Sequence, residues 1–323
     1  MGKQITVQST AHAHADDIDP EAHASATDIE VAKDKAVSRA IAALENEAAG
    51  WSRFHRANIQ TLFDAMAATH RTIRKVLGFG WQDPRSIDAM VLARVPLEHL
   101  YTLCLMLEGS EWMDVYLKDG WKKQYERFLL QREETKNLPR YHEFSNKSGP
   151  RSLEMHRTFL GITDAQRATI DHVQLGTPMP DGVAQEKIHR FPSPSGVIDA
   201  VNEGSKRKML ERLYPEYVFF CSFVHGLPDA MLFRVMFDKN SRVPKQHDDE
   251  TIKDTFRRHV ELPAYSTSVI SILQAVSELT TLYPADVELK AAVTNAWEEI
   301  VEGMLLGRAI WAIRARALLG VVG

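Results

Sequence analysis

Apolar residues recur at steps of three and four along most of the chain and hardly anywhere in strict alternation. From Trp51 onward, Phe54, Ile59, Leu62, Phe63, Met66, Ile73 and Leu77 fall on one side of a 3.6-residue repeat, which predicts a long amphipathic helix ending near Gly78 and Gly80. His70 lies on that apolar side, where a single histidine is expected to be a core residue with satisfied nitrogens. Upstream, Thr27 and Glu30 have capping-box spacing ahead of the helix formers EVAKDKAVSRAIAALENEAA, so a first helix is predicted from Thr27. The segment SIDAMVLARVPLEHLYTLCLMLEG is apolar nearly all round, which predicts a helix buried on most sides at the centre of the fold. Next, WMDVYLKDGWKKQYERFLLQREETKN reads as a charged, partly exposed helix, bent or interrupted at Gly120. Further helices are predicted over SKRKMLERLYPEYVFFCSFVHG and DAMLFRVMF, with a polar loop at 239–250. Val269, Ile272, Leu273, Val276 and Leu279 mark one late helix face, and Leu289, Val293, Ala296, Trp297, Ile300, Met304 and Leu305 mark another.

Two stretches break this pattern. Residues 1–26 are rich in Ala, His, Asp, Ser and Thr, bury little, and are predicted to be a disordered tail. His12, His14 and Asp16 in that tail are read as solvated side chains, so no metal and no cofactor is expected. Residues 138–200 carry short helical pieces separated by Pro178, Pro180, Pro192 and Pro194, an irregular insertion or lid. Strand periodicity, internal repeats and any βαβ series are missing. The fold class is therefore all-α, a multi-helix bundle over residues 27–320.

Composition changes this picture little. The chain has 323 residues, 44% apolar and 25% charged, enough to bury a sizeable core in one large domain or two modest ones. A formal net charge of -4 gives no general pull on phosphate backbones or anionic lipid, so an RNA partner would need a local basic patch. Cys104 and Cys221 sit in apolar runs, as unpaired buried thiols do. With no secretory signal and no uncharged apolar window of about 18 residues, a cytoplasmic location without a membrane span is expected.

The usual local signatures of chemistry, a Gly-rich phosphate loop, paired CxxC, HExxH or GxSxG, do not occur. The informative feature is a polar stripe in the most apolar helix. Arg94 and Glu98 stand four apart on one face, Thr102 continues it, and His99 is one position round. One account is an ion pair within the helix; the other is a pocket where burial tunes Arg94, Glu98 and His99 for chemistry. Pro96 predicts a kink or a helix start in the same stretch. Ser222 and His225 lie three apart at a helix end before Gly226 and Pro228. They form a capping histidine or, lacking a third partner, an incomplete nucleophile and base. Arg308, Arg314 and Arg316 near the C-terminus read as exposed residues of a core helix, with a homodimer interface as the alternative use.

LARVPLEHLYTLCLML, with an Ala-Arg-x-x-x-Glu opening, together with Tyr217 and the Ser222-Phe-Val-His225-Gly226 run, resembles a bacterial family of all-helical proteins known only as domain of unknown function 5677. The resemblance spans about residues 50–240. It implies that Arg94, Glu98, Ser222 and His225 form a shared polar set converging on one site, and it implies no activity. Arg94 and His99 are also spaced as in HEPN ribonucleases. Arg151 with His156, Arg167 with His172, and Arg242 with His247 repeat that spacing, where roughly three such hits arise by chance. The expected function is a binding or interaction module with a polar pocket around Arg94, Glu98 and His225. The alternative is a metal-independent nuclease in which His99 or His225 acts as base and Arg94 stabilises the phosphorane.

Overall fold

A computed structural model describes residues 26–138, 151–237 and 249–321. The predicted N-terminal tail, apart from Ala26, and most of the predicted polar loop at 239–250 lie outside the described residues. The fold is all-α: no strand occurs among the described residues beyond an isolated bridge between Ala48 and Trp51. The chain divides into two compact units, Met106–Ser193 and the remainder.

In the larger unit, α1 (Ala26–Leu44) is followed by α2 (Arg53–Leu77), whose start is set by Ser52 accepting the His55 amide. The periodic positions Ile59, Leu62, Phe63, Met66 and Ile73 are buried, as is His70. α3 (Asp88–Met106) runs through Pro96 without ending or starting there. It forms the last part of Pro84–Met106, a stretch long and apolar enough to cross a membrane, of which 61% of the window is buried inside the protein. Across from α3, α8 (Gly204–Val224) also contains a proline, Pro215. The Tyr101 hydroxyl donates to the Leu210 carbonyl at 2.6 Å, next to the Glu211 carbonyl that Pro215 leaves without an amide. α7 (Pro194–Ala200) precedes α8, and α9 (Pro228–Phe237) follows it.

α10 (Asp249–Phe256) and α11 (Leu262–Leu279) are one helix joined by a wide π-turn at Arg257–Glu261. Pro263 explains the turn. It offers no N–H to the His259 carbonyl and its ring crowds that oxygen, so the preceding Leu262 amide reaches back five residues to the Arg257 carbonyl. α11 is buried on all sides, not on one face as its apolar pattern suggested. Ser268, Ser271, Gln274, Ser277 and Glu278 are as inaccessible as Val269 and Ile272. α12 (Val287–Val301) and α13 (Leu305–Ile310) complete the unit, with a second π-turn at Trp311–Ala315 leading into α14 (Arg316–Leu319).

The smaller unit contains α4 (Ser110–Thr135), α5 (151–159) and α6 (Asp164–Leu175). α4 passes through Gly120 without interruption. The glycine costs a helix interior about 1 kcal/mol, and an ion pair from Lys123 to buried Asp119 at 2.7 Å bridges the turn across it. Within the stretch expected to be irregular, 151–159 and 164–175 are short helices and 176–193 carry no helix. Ile162, Ile170 and Ile188 join Trp121 and Leu129 in one apolar cluster, and the Trp121 indole donates to the Leu153 carbonyl at 2.8 Å. Thr163 and Gln166 close a capping box, and Gly176 ends α6 in the left-handed conformation (φ 67°) that favours glycine.

Candidate functional site

The polar stripe of α3 resolves into a three-residue cluster. The Arg94 Nε and Nη2 donate to Glu98 Oε1 at 2.9 and 2.6 Å, the Tyr217 hydroxyl of α8 donates to the same oxygen at 3.1 Å, and the guanidinium lies 5.5 Å from the Tyr217 ring centre. Thr102 turns away from the cluster and donates to the Glu98 carbonyl. The ion-pair account of the stripe is therefore the geometry observed. Both side chains are part-exposed, at 22% and 34%. An i,i+4 pair of this exposure is worth under about 1 kcal/mol. Urea unfolding of Arg94→Met should show a loss of that size, and a loss above about 2 kcal/mol would assign the cluster a structural role larger than argued.

His99 does not join this cluster. Five positions along a helix place it about 140° round from Arg94, and its burial pushes the ring pKa down, which keeps it neutral. Ser222 donates to the Phe219 carbonyl of its own helix at 2.7 Å. His225 occupies the C-terminal cap of α8 with an exposed side chain, and no hydrogen bond or ion pair links it to Ser222 or Glu98 among the described residues. The structure thus joins Arg94, Glu98 and Tyr217, with Ser222 and His225 outside that bonded set. Arg151 and Arg167 sit in the smaller unit, and Arg242 and His247 lie outside the described residues.

Two buried polar networks were not anticipated. In the first, Glu30 Oε1 accepts from His70 Nε2 at 2.7 Å and from the Tyr265 hydroxyl at 2.9 Å, while Oε2 accepts from Lys33 at 2.6 Å and pairs with Arg74 at 3.2 Å. Burial raises the Glu30 carboxyl, but the hydrogen bonds from His70 and Lys33 and the charge of Lys33 outweigh it and hold the group well below the carboxylate range. Burial in turn pushes His70 down, so its ring is neutral and carries one proton. An ionised Glu30 can only accept, which puts that proton on Nε2 and leaves Nδ1 an acceptor; the single Ser268 hydroxyl proton is shared between Nδ1 at 2.7 Å and the Tyr265 carbonyl at 2.8 Å. Serine, histidine and glutamate in a hydrogen-bonded string look like hydrolytic machinery. Ser268 and His70 are, however, completely buried, so no substrate reaches the hydroxyl, and the string serves the core.

In the second network, completely buried Glu278 receives Arg314 Nε and Nη2, one on each oxygen, both at 2.8 Å, and Gln274 at 2.8 Å, with Lys206 at 3.8 Å. Arg314 also binds Glu203 and, at 2.9 Å, Ser205. Burial lowers the guanidinium pKa, but Glu278 and Glu203 more than compensate and raise it. Arg314 is thus a core residue, not the exposed arginine expected, because the π-turn at Trp311–Ala315 faces it inward. Arg308 remains exposed and Arg316 half-buried.

Beside the first network lies a cavity of about 660 Å³ in the larger unit, lined by residues of α1, α2, α8, the first π-turn, α11, α12 and α13. Ile29, Leu77, Leu262 and Met304 provide apolar wall, and Arg74, Arg212, Arg257 and Arg258 bring four cations to it. The π-turn positions Arg257 and Arg258 there. Arg74 and Tyr265 both line the cavity and contact Glu30, so the buried network holds part of its wall. α8 contributes Arg212 and Glu216 to the cavity, and Tyr217, one position round, to the Arg94 cluster. No single-segment motif could reveal such a site, because its residues come from seven elements. The available hints were Pro263 in a helical pattern and the doublet Arg257-Arg258. Among the described residues no cluster of three metal-ligating side chains occurs. Comparison of the chain with family models, with curated proteins and with solved structures finds no match.

Proposed function

We propose that the protein is a binding module that holds a small molecule with an apolar body in the cavity between α2, α8, α11 and α12. The Arg94–Glu98–Tyr217 cluster, on the adjoining side of α8, is its second polar patch. One observation carries this reading: an apolar-walled cavity of about 660 Å³ with arginines gathered at it. Small-molecule sites span about 300–1,000 Å³ and combine such a wall with a few polar groups. Two facts favour binding over catalysis. The serine–histidine string is sealed, and Arg94 is committed to Glu98, while His99 lies on another face of α3 and His225 makes no hydrogen bond to the cluster among the described residues. The proposal includes a cytoplasmic location, motivated by the two free thiols, and leaves the C-terminal helices as the dimer surface to test.

A thermal-shift screen of small amphipathic molecules tests it, run beside Leu305→Trp, which fills the cavity from a half-exposed position. A ligand at a hundred times its Kd stabilises by about 2.7 kcal/mol, and the variant should lose that gain. RNA cleavage in chelator that disappears in Arg94→Ala would replace the binding reading with the nuclease one.

A further inference from the structure

Most charged residues of the cavity lining have partners, as Arg74 has in Glu30 and Arg258 in Asp254, but among the described residues one half-buried residue of each sign has none. Arg212 on α8 and Glu299 on α12 are both half-buried on its wall, and among the described residues neither has an ion-pair or hydrogen-bond partner. A half-buried charge without a partner gives up part of its hydration and recovers nothing. Two opposite charges left in that condition in one cavity lining are complementary to a molecule that carries both. Arg74 adds to the cationic side at little cost. Its side chain is 49% exposed and makes the longest of the Glu30 contacts, 3.2 Å, while Lys33, His70 and Tyr265 already satisfy that carboxylate. Drawn toward a ligand anion, Arg74 would leave no orphan behind. Leu77, Leu262 and Met304 lie on the same wall and suit an apolar body.

Resting on the binding function proposed above, we infer that the ligand is an apolar zwitterion of the size of a short peptide. Its carboxylate is held by Arg212 with Arg74, its ammonium by Glu299, and its apolar side chains by the leucine and methionine wall. Charge-assisted hydrogen bonds at both ends then select for two free termini.

The test measures Kd by calorimetry for four probes: the tripeptide Leu-Phe-Leu with free ends, its N-acetyl form, its C-amide, and the doubly capped form. Each is run against the wild-type protein, Arg212→Gln and Glu299→Gln. Capping either end should weaken binding to the wild type about tenfold. C-amidation should cost clearly less in Arg212→Gln than in the wild type, about threefold with Arg74 still present, and N-acetylation should have little effect in Glu299→Gln, about onefold. Both variants alter half-exposed side chains without partners, so circular dichroism and melting should match the wild type. Doubly capped peptide binding as tightly as the free peptide would overturn the zwitterion assignment while leaving an apolar binding cavity in place. Absence of binding by all four probes also overturns it, and the Leu305→Trp thermal-shift screen then decides separately whether the cavity binds anything.

Discussion

Glu278→Gln is expected to destabilise the protein by about 3–5 kcal/mol, the loss seen when one member of a buried ion pair is removed. The substitution keeps the side-chain volume and takes away only charge. It leaves Arg314, buried and otherwise held by Glu203 and Ser205, without its two-pronged partner, and leaves Lys206 without the carboxylate at 3.8 Å. Against a typical total of about 5–15 kcal/mol, that is a large fraction. Urea unfolding reads it as a lower midpoint at unchanged slope. The double variant Glu278→Gln with Arg314→Met should recover part of the loss, since removing both members of a buried pair costs far less than orphaning one. A double variant as unstable as the sum of its parts would show that packing, not charge, is what Glu278 contributes.

Glu30→Gln should have the second largest effect, about 3 kcal/mol or more. Lys33, only 2% exposed, would retain a single carboxylate, Asp34 at 3.3 Å, and the His70 and Tyr265 donors would face a neutral amide. The same cluster sets an acid dependence. Glu30 in the folded protein lies well below its ordinary value of 4.5, so the stability it contributes is complete above that value and drains away as pH falls below about 5. His70 in the folded protein lies below its ordinary value of 6.5, so the unfolded chain takes up a proton first. Stability therefore begins to fall as pH drops through about 6.5. Both groups act in one direction, and unfolding midpoints measured from pH 7 to pH 4 should decline throughout. In Glu30→Gln the part of the decline below pH 5 should shrink. A wild-type midpoint that holds steady over that range would show that the two groups titrate alike in the folded and unfolded protein.

The outcome at particular residues shows why some of this was legible in the chain. The face of α2 was readable because Ile59, Leu62, Phe63, Met66 and Ile73 each sit on one side of a single helix, a relation set by local spacing alone. Arg94 and Glu98 were readable for the same reason, as neighbours one turn apart. Tyr217 meeting Glu98 across 119 residues was not readable from spacing. Of the bend or interruption expected at Gly120, the interruption does not occur, because an ion pair and the packing of Trp121 offset the weak propensity of one glycine. Glu30 was read as a capping residue, which its position after Thr27 allows. Its actual partners, His70 and Tyr265, lie 40 and 235 residues away.

What the sequence determined by itself was the helical class, most helix positions and the faces of the regular amphipathic helices, because helical periodicity is a property of consecutive residues. The tertiary structure decided the rest: which polar residues of α11 enter the core, the inward turn of Arg314, and the gathering of Arg74, Arg212, Arg257 and Glu299 around one cavity. The physical reason is that burial and pairing depend on what a distant segment brings opposite. Pro263 is the instructive case, a local residue whose π-turn was foreseeable in kind, while the cavity it serves exists only once α2, α8 and α12 are in place.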